Sequence, residues 1–274
     1  MGKLLELSDI VNYGNKAAIS ARVLLLDLFT TGEHDTLTSR QLNAVGAAFG
    51  LSREAMRTAL ARLRAEGRLR AVARGVYAAG AQGDPIRARA AVWRRHVERR
   101  VAWDGGWIGA AIRPTRVART RWRRTQWALE FLGFRQDETG LWLRPDNLDG
   151  GAPAVAAELA AFGAAPSMAV FRMDHVAPAH AARFATLWDV QALAAGHAAM
   201  TAALRRSRAQ LGEGAPAAVE TLLTGRRAIR EILRDPLLPL ELAGPATPDA
   251  LAREMAAYDA CGKAIWRRFL AELA

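Results

Sequence analysis

The sequence predicts an α+β chain, mostly helical, built in three parts. These are an N-terminal winged helix-turn-helix over residues 1–80 and, after a linking helix over 81–102, a central ferredoxin-like domain over 103–175. An all-helical C-terminal domain over 176–274 completes it. Three observations carry this. Residues 38–79 hold two short helical patterns around a Phe49-Gly50-Leu51 joint, followed by a basic hairpin. Residues 107–173 alternate in the order β-α-β-β-α-β. Beyond Pro178 only helical periodicity remains.

Residues 1–19 read as an arm, broken by Asn12, Gly14 and Asn15. Ser20 to Phe29 forms a supporting helix with Val23, Leu24, Leu26 and Leu28 on its apolar side, and Thr31 to Leu37 reads as a loop. Thr38 or Ser39 caps the next helix. Ser52 caps the one after it, with Glu54 in the first turn, where the helix dipole favours negative charge. In that second helix Met56, Leu60 and Leu63 share one face, and Arg53, Arg57, Arg64, Thr58 and Ala61 lie on or beside the opposite one. Gly67 ends the helix as its C′ residue. Arg68 to Val72 and Val76 to Ala78 are strands about an Arg74-Gly75 turn. Such a second helix lies in the DNA major groove while the wing touches the backbone. Arg53, Arg57 and Thr58 then face bases, and Arg64, Arg68, Arg70 and Arg74 hold phosphates.

Gly80 to Pro85 breaks the chain, and Pro85 suits the first turn of a helix from Ile86 to about Val101. Trp107 to Ile112 is a strand and Val117 to Gly133 a helix. Phe134 to Asp137 and Leu141 to Arg144 are strands about a Glu138-Thr139-Gly140 turn. Ala154 to Phe162 is a helix and Met168 to Met173 the last strand. Trp107, Trp122, Trp127 and Trp142 read as core and interface, not as a platform for stacking bases. The remaining helices fall within 180–210, 216–234 and 248–273, with Asp235 to Pro239 a rigid connection.

Charge points the same way. The net charge is +11, with 38 Lys+Arg against 27 Asp+Glu. Residues 1–100 hold 17 of those cations and 9 of those anions, so the excess gathers with the winged helix. A polyanion is the partner such a balance suits. One cysteine, Cys261, excludes an intrachain disulfide and cysteine-based zinc sites, and fits a cytoplasmic protein. No apolar run nears the ~20 residues of a membrane span, so no membrane partner is expected. MGKLLELSDI is too acidic and broken for a secretory signal.

Several segments together resemble the PaaX-type repressors of phenylacetic acid catabolism. They are ARVLLLDLF, LSREAMRTALARLRAEG, WDGGW at 103–107, LEFLGF at 129–134, GLWLRPDNL at 140–148, LWDV at 187–190 and ILRDPLLPLELAG at 232–244. The likeness runs from about Ser20 to Leu270, and GLWLRPDNL followed by LRDPLLP is its most specific part. The resemblance implies a Cas2-like form of the central ferredoxin fold. It also implies a homodimeric repressor that binds a double-stranded DNA operator and is released by an acyl-CoA such as phenylacetyl-CoA. The arm and TGEHDTL at 31–37 depart from the family pattern.

A Cas2-like fold raises one alternative, a metal-dependent nuclease, whose chemistry needs an Asp at the end of the first strand. Here that strand ends Ala110-Ala111-Ile112-Arg113-Pro114, without an oxygen ligand for a hard cation. His175 and His180 with Asp174 straddle Pro178 and need not share a face, and His197 lies further on, so no metal site is expected. HExxH, CxxC, GxSxG and phosphate-loop patterns are absent. The chain reads as a non-enzyme without a cofactor. An acyl-CoA needs cations for its phosphates and an apolar slot. Arg113, Arg116, Arg119, Arg226 and Arg227 are the candidates for the first, Trp142 and Trp188 for the second.

Overall fold

The computed structural model describes residues 19–31, 34–83, 85–244 and 247–273; all but the last residue of the expected arm lies outside them. The chain forms two compact units, each assembled from separate stretches. One comprises residues 1–93, 202–230 and 254–274, the other 94–201 and 231–253.

In the first unit the elements follow the order α1 (Ala21–Thr31), β1 (Thr36–Thr38), α2 (Ser39–Ala48), α3 (Arg53–Ala65), β2 (Leu69–Ala73), β3 (Val76–Ala79) and α4 (Pro85–Ala91). The strands make an antiparallel sheet in the order β1-β3-β2. β1 lies where a loop was expected. It is too short for alternation to show, and only Leu37 of its three residues is buried. The helix expected over Ile86 to Val101 is also corrected. It stops at Ala91 and gives way to 3₁₀ turns at Trp93–Arg95 and Val97–Arg99. Trp93 and His96 are both buried, a spacing of three that suits the tighter turn, and the chain changes unit at this point.

The core of this unit joins Leu24 and Leu25 of α1, Leu42 and Val45 of α2, and Met56 and Leu63 of α3. To these it adds Ala218 of α9 (Gly214–Arg234) and Phe269 and Leu270 of α11 (Asp249–Ala271). Gln41 Nε2 donates to the Leu270 carbonyl at 3.1 Å.

The second unit contains β4 (Trp107–Ala111), α5 (Arg119–Phe131), β5 (Arg135–Gln136), β6 (Trp142–Pro145), α6 (Gly151–Ala161) and β7 (Ala169–Met173), then α7 (Pro178–Ala185). The sheet runs β5-β6-β4-β7 with every neighbouring pair antiparallel. Trp107 of β4 anchors a core with Leu143, Phe184, Trp188 and Leu238. The rings of Trp107 and Trp188 stack 6.2 Å apart, and Trp188 Nε1 donates to the Gly133 carbonyl at 3.0 Å.

GLWLRPDNL and LRDPLLP meet in this unit. The wholly buried Arg144 donates to the carbonyls of Leu132, Pro145 (3.1 Å) and Pro236 (3.4 Å) and to Asn147 Oδ1 (3.3 Å). Asn147 Nδ2 donates to the Leu237 carbonyl at 2.6 Å. Asp235 accepts from the Leu237 amide at 2.7 Å and lies 2.9 Å from His197 Nε2. Leu237 adopts a positive φ of 52°, costly for a branched residue, and these bonds hold it there.

Two further helices complete the chain, α8 (Val190–Gln210) and α10 (Leu240–Ala243). Among the described residues, no helix is long and apolar enough to cross a membrane.

Candidate nucleic-acid interface

The first unit presents α2 and α3 joined by Phe49 to Ser52, and both helix starts are fixed by side chains. Thr38 and Gln41 form a capping box at α2, and Ser52 Oγ accepts from the Ala55 amide at 3.1 Å at α3. At the far end of α3, Gly67 takes a φ of 69°, and the Arg68 amide donates to the Leu63 carbonyl at 2.9 Å. Met56, Ala59 and Leu63 are buried beneath the helix, with Leu60 packed beside them.

Arg53, Arg57, Thr58, Ala61, Arg62 and Arg64 are exposed. At 3.6 residues per turn, Arg53, Arg57 and Arg64 fall within about 40° of one another, a single basic stripe. Thr58 and Arg62 flank the other side of the exposed face. Arg64 also stands over the Tyr77 ring, 5.9 Å from its centroid, which links the stripe to the hairpin.

The hairpin β2–β3 carries Arg70 and Arg74 in the open. Its turn is held by Gly75, φ 74°, whose carbonyl accepts from the Ser39 amide at 2.7 Å and the Ser39 hydroxyl at 3.2 Å. The hairpin is thereby tied to the start of α2. Arg68 differs from the rest of the set. It is half-buried, with Nε 3.8 Å from Glu66, a carboxylate that Arg22 already grips with two bonds of 2.9 and 2.7 Å. Arg62 is a further exposed cation of α3, which the face spacing does not single out and the arginine-rich stretch Arg62-Leu63-Arg64 does.

Residues 26–80 match the family model of a transcriptional regulator, the AbiEi antitoxin. The matched stretch holds α2, α3 and the hairpin, so the arginine stripe lies in the segment similar to a transcriptional regulator. A solved structure titled uncharacterized protein Rv0674 from Mycobacterium tuberculosis has a similar fold, with a TM-score of 0.54 and 24% identity. The alignment covers 89% of this chain and 99% of that one. No curated protein matches the chain.

The residues expected around an effector are divided between the two units. Arg226 and Arg227 belong to the first unit, and Arg113, Arg116, Arg119, Trp142 and Trp188 to the second. Trp142 and Trp188 are buried in the fold, Arg113, Arg116 and Arg119 are exposed, and Arg227 donates to Thr224 at 2.8 Å. Arg226 pairs with Asp27.

Around the sheet of the second unit, Asp104 (2.6 Å), Asp174 (2.8 Å) and Asp146 converge on Arg172, a grouping of carboxylates that sequence spacing hides. The hydrogen bonds from Arg172 to Asp174, Asp146 and Asp104 push its guanidinium up, and Asp104 is held down, first by the Gly106 amide and then by Arg172. Among the described residues, no three His, Cys, Asp or Glu side chains are placed to hold a metal ion.

Proposed function

We propose that this chain is a sequence-specific duplex-DNA-binding transcription regulator with a winged helix-turn-helix reader. The observation that carries the reading is the stripe of Arg53, Arg57 and Arg64 on a helix fixed at both ends, inside the segment that matches a transcriptional regulator. A helix of this width enters the major groove, and guanidinium groups pair with guanine edges or phosphates there. Arg53, Arg57 and Thr58 contact bases. Arg64, Arg70 and Arg74 contact phosphates, and Arg68 supports the hairpin through Glu66 while adding to the local field.

The finer reading rests on the PaaX-type segments. In it the chain is a homodimeric, cytoplasmic repressor of an aromatic-acid operon. Its central domain is of the Cas2-like ferredoxin kind, and an acyl-CoA such as phenylacetyl-CoA releases it. Two recognition helices then meet major grooves about 34–36 Å apart, or a multiple of that.

Selection from random duplexes followed by affinity measurement tests the reading. Arg57→Ala is expected to cost about 1–3 kcal/mol on the selected site and to relax one base position. Arg70→Ala is expected to weaken all sequences alike and to lower the slope of log affinity against log salt by about 1. Failure to enrich any sequence, with both variants losing affinity uniformly, would sink base reading. A release assay with phenylacetyl-CoA then tests the finer reading alone.

A further inference from the structure

The second unit carries a basic row of its own. Between Asp104 and Glu130 the chain holds six arginines and no acidic residue, whereas the rest of residues 101–274 holds 15 Lys+Arg against 18 Asp+Glu. The excess is therefore local to the 3₁₀ turn Pro114–Arg116 and the first turns of α5. Two of the six are fasteners. Arg124 Nε donates to the Phe162 carbonyl at 2.7 Å and Arg121 Nη1 to the Gly163 carbonyl at 3.2 Å, which ties α5 to the end of α6. Arg113, Arg116, Arg119 and Arg123 are exposed, and among the described residues none of them has an ion pair or a side-chain hydrogen bond.

Like charges gathered in one short stretch repel one another, a cost that a polyanion laid across them removes. We infer that this row is a second contact surface for duplex DNA, one that grips the phosphate backbone without reading bases. Shape and chemistry select the partner. A small phosphorylated ligand is held by a concave site, and these side chains stand in the open. Arg119 and Arg123 lie four apart in α5, within about 40° of each other and about 6 Å along the axis. That is less than two phosphate steps of a strand, which carries a charge every ~3.4 Å of duplex axis. Guanidinium groups meet phosphates through paired, charge-assisted hydrogen bonds.

The choice of duplex DNA rests on the reading of the chain as a DNA-binding regulator, and adds to it a contribution carried by the second unit. Phosphate contacts give affinity and no sequence information, so the row strengthens binding to every duplex alike. Each neutralised phosphate releases counterions. The mark of the row is therefore a steeper fall of affinity with salt, about 0.9 per contact in the slope of log affinity against log salt.

The test is fluorescence anisotropy of the full chain on a selected and on a scrambled duplex, titrated at several salt concentrations. Arg119→Gln with Arg123→Gln is expected to lower the slope by about 1.8 on both duplexes and to leave the preference between them unchanged. Arg205→Gln with Arg268→Gln removes the same net charge from exposed arginines already paired with Glu254 and Glu213, and is expected to lower the slope by less than about half as much. Arg119→Lys with Arg123→Lys keeps the charges and is expected to keep most of the slope. Thermal midpoints check that each variant is folded. A slope unchanged by the first pair, or lowered equally by the control pair, overturns the proposal. So does a loss confined to binding of phosphatidylserine vesicles, which would make the row a membrane surface. A chain that prefers the selected duplex but fails these tests loses the second surface only. One that passes them without preferring any sequence keeps that surface and loses base reading.

Discussion

Arg144 and His96 are charged-type side chains placed where water does not reach, and each makes a different demand. Burial, then repulsion from Arg99, pushes the Arg144 guanidinium down to about 9 against the attraction of Glu158, Asp146 and Asp235, so it stays charged at neutral pH and donates to backbone carbonyls. Removing it leaves those acceptors unpaired, so Arg144→Met is expected to lower unfolding free energy by about 3 kcal/mol. A denaturant titration with an unchanged m-value checks this. His96 has the opposite tendency. Burial, then repulsion from Arg144 and Arg100, lowers its pKa from 6.5 to about 4, against a raising contribution from the Asp235 backbone. Its neutral form is the folded form, so its contribution is whole above about pH 6.5 and is lost as pH falls to about 4. The linked loss is on the order of 3 kcal/mol. His96→Leu is expected to flatten that part of the curve of stability against pH. Neither role was legible in the sequence. Arg144 bonds to backbone carbonyls, which carry no residue-type signature, and Pro236 stands far along the chain from it.

Elements whose ends are written in side chains were legible, and those set by the neighbourhood were not. Thr38, Ser52 and Gly67 mark helix ends by local chemistry, and the structure has them there. β1 exists because β3 offers it a partner, and the 3₁₀ turns after Ala91 exist because the chain changes unit. The arginine stripe of α3 was legible for the same reason as its cap, since both follow from spacing within one helix. Hence Ser52→Ala is expected to cost about 1 kcal/mol of stability, seen as a lower thermal midpoint. Because the face itself is unaltered, affinity for a selected duplex should change much less than in Arg57→Ala. A loss as large as that of Arg57→Ala would mean that the Ser52 hydroxyl itself touches the DNA.

Across the whole molecule, the segments that complete each unit lie far apart in sequence, which is why the sequence divisions at 80, 102 and 175 are contiguous and the compact units are not. Periodicity announces that α9 and α11 are helices without saying which core takes their apolar faces. Here Ala218, Phe269 and Leu270 close the core beneath α1, α2 and α3, and the Leu270 carbonyl takes a bond from Gln41. The core beneath α1, α2 and α3 is therefore completed by the end of the chain, and its stability draws on Phe269 and Leu270. Phe269→Ala should remove about 3–5 kcal/mol, the usual cost of truncating a buried phenylalanine. A chain ending at residue 253 loses Leu270 as well and opens the core over Leu24 and Met56. Thermal unfolding followed by circular dichroism should show both changes. Affinity for a selected duplex, per folded molecule, should survive Phe269→Ala, because that side chain is not among the exposed arginines of α3. A truncated chain that melted like the full one would show that the N-terminal segments hold their shape without Phe269 and Leu270.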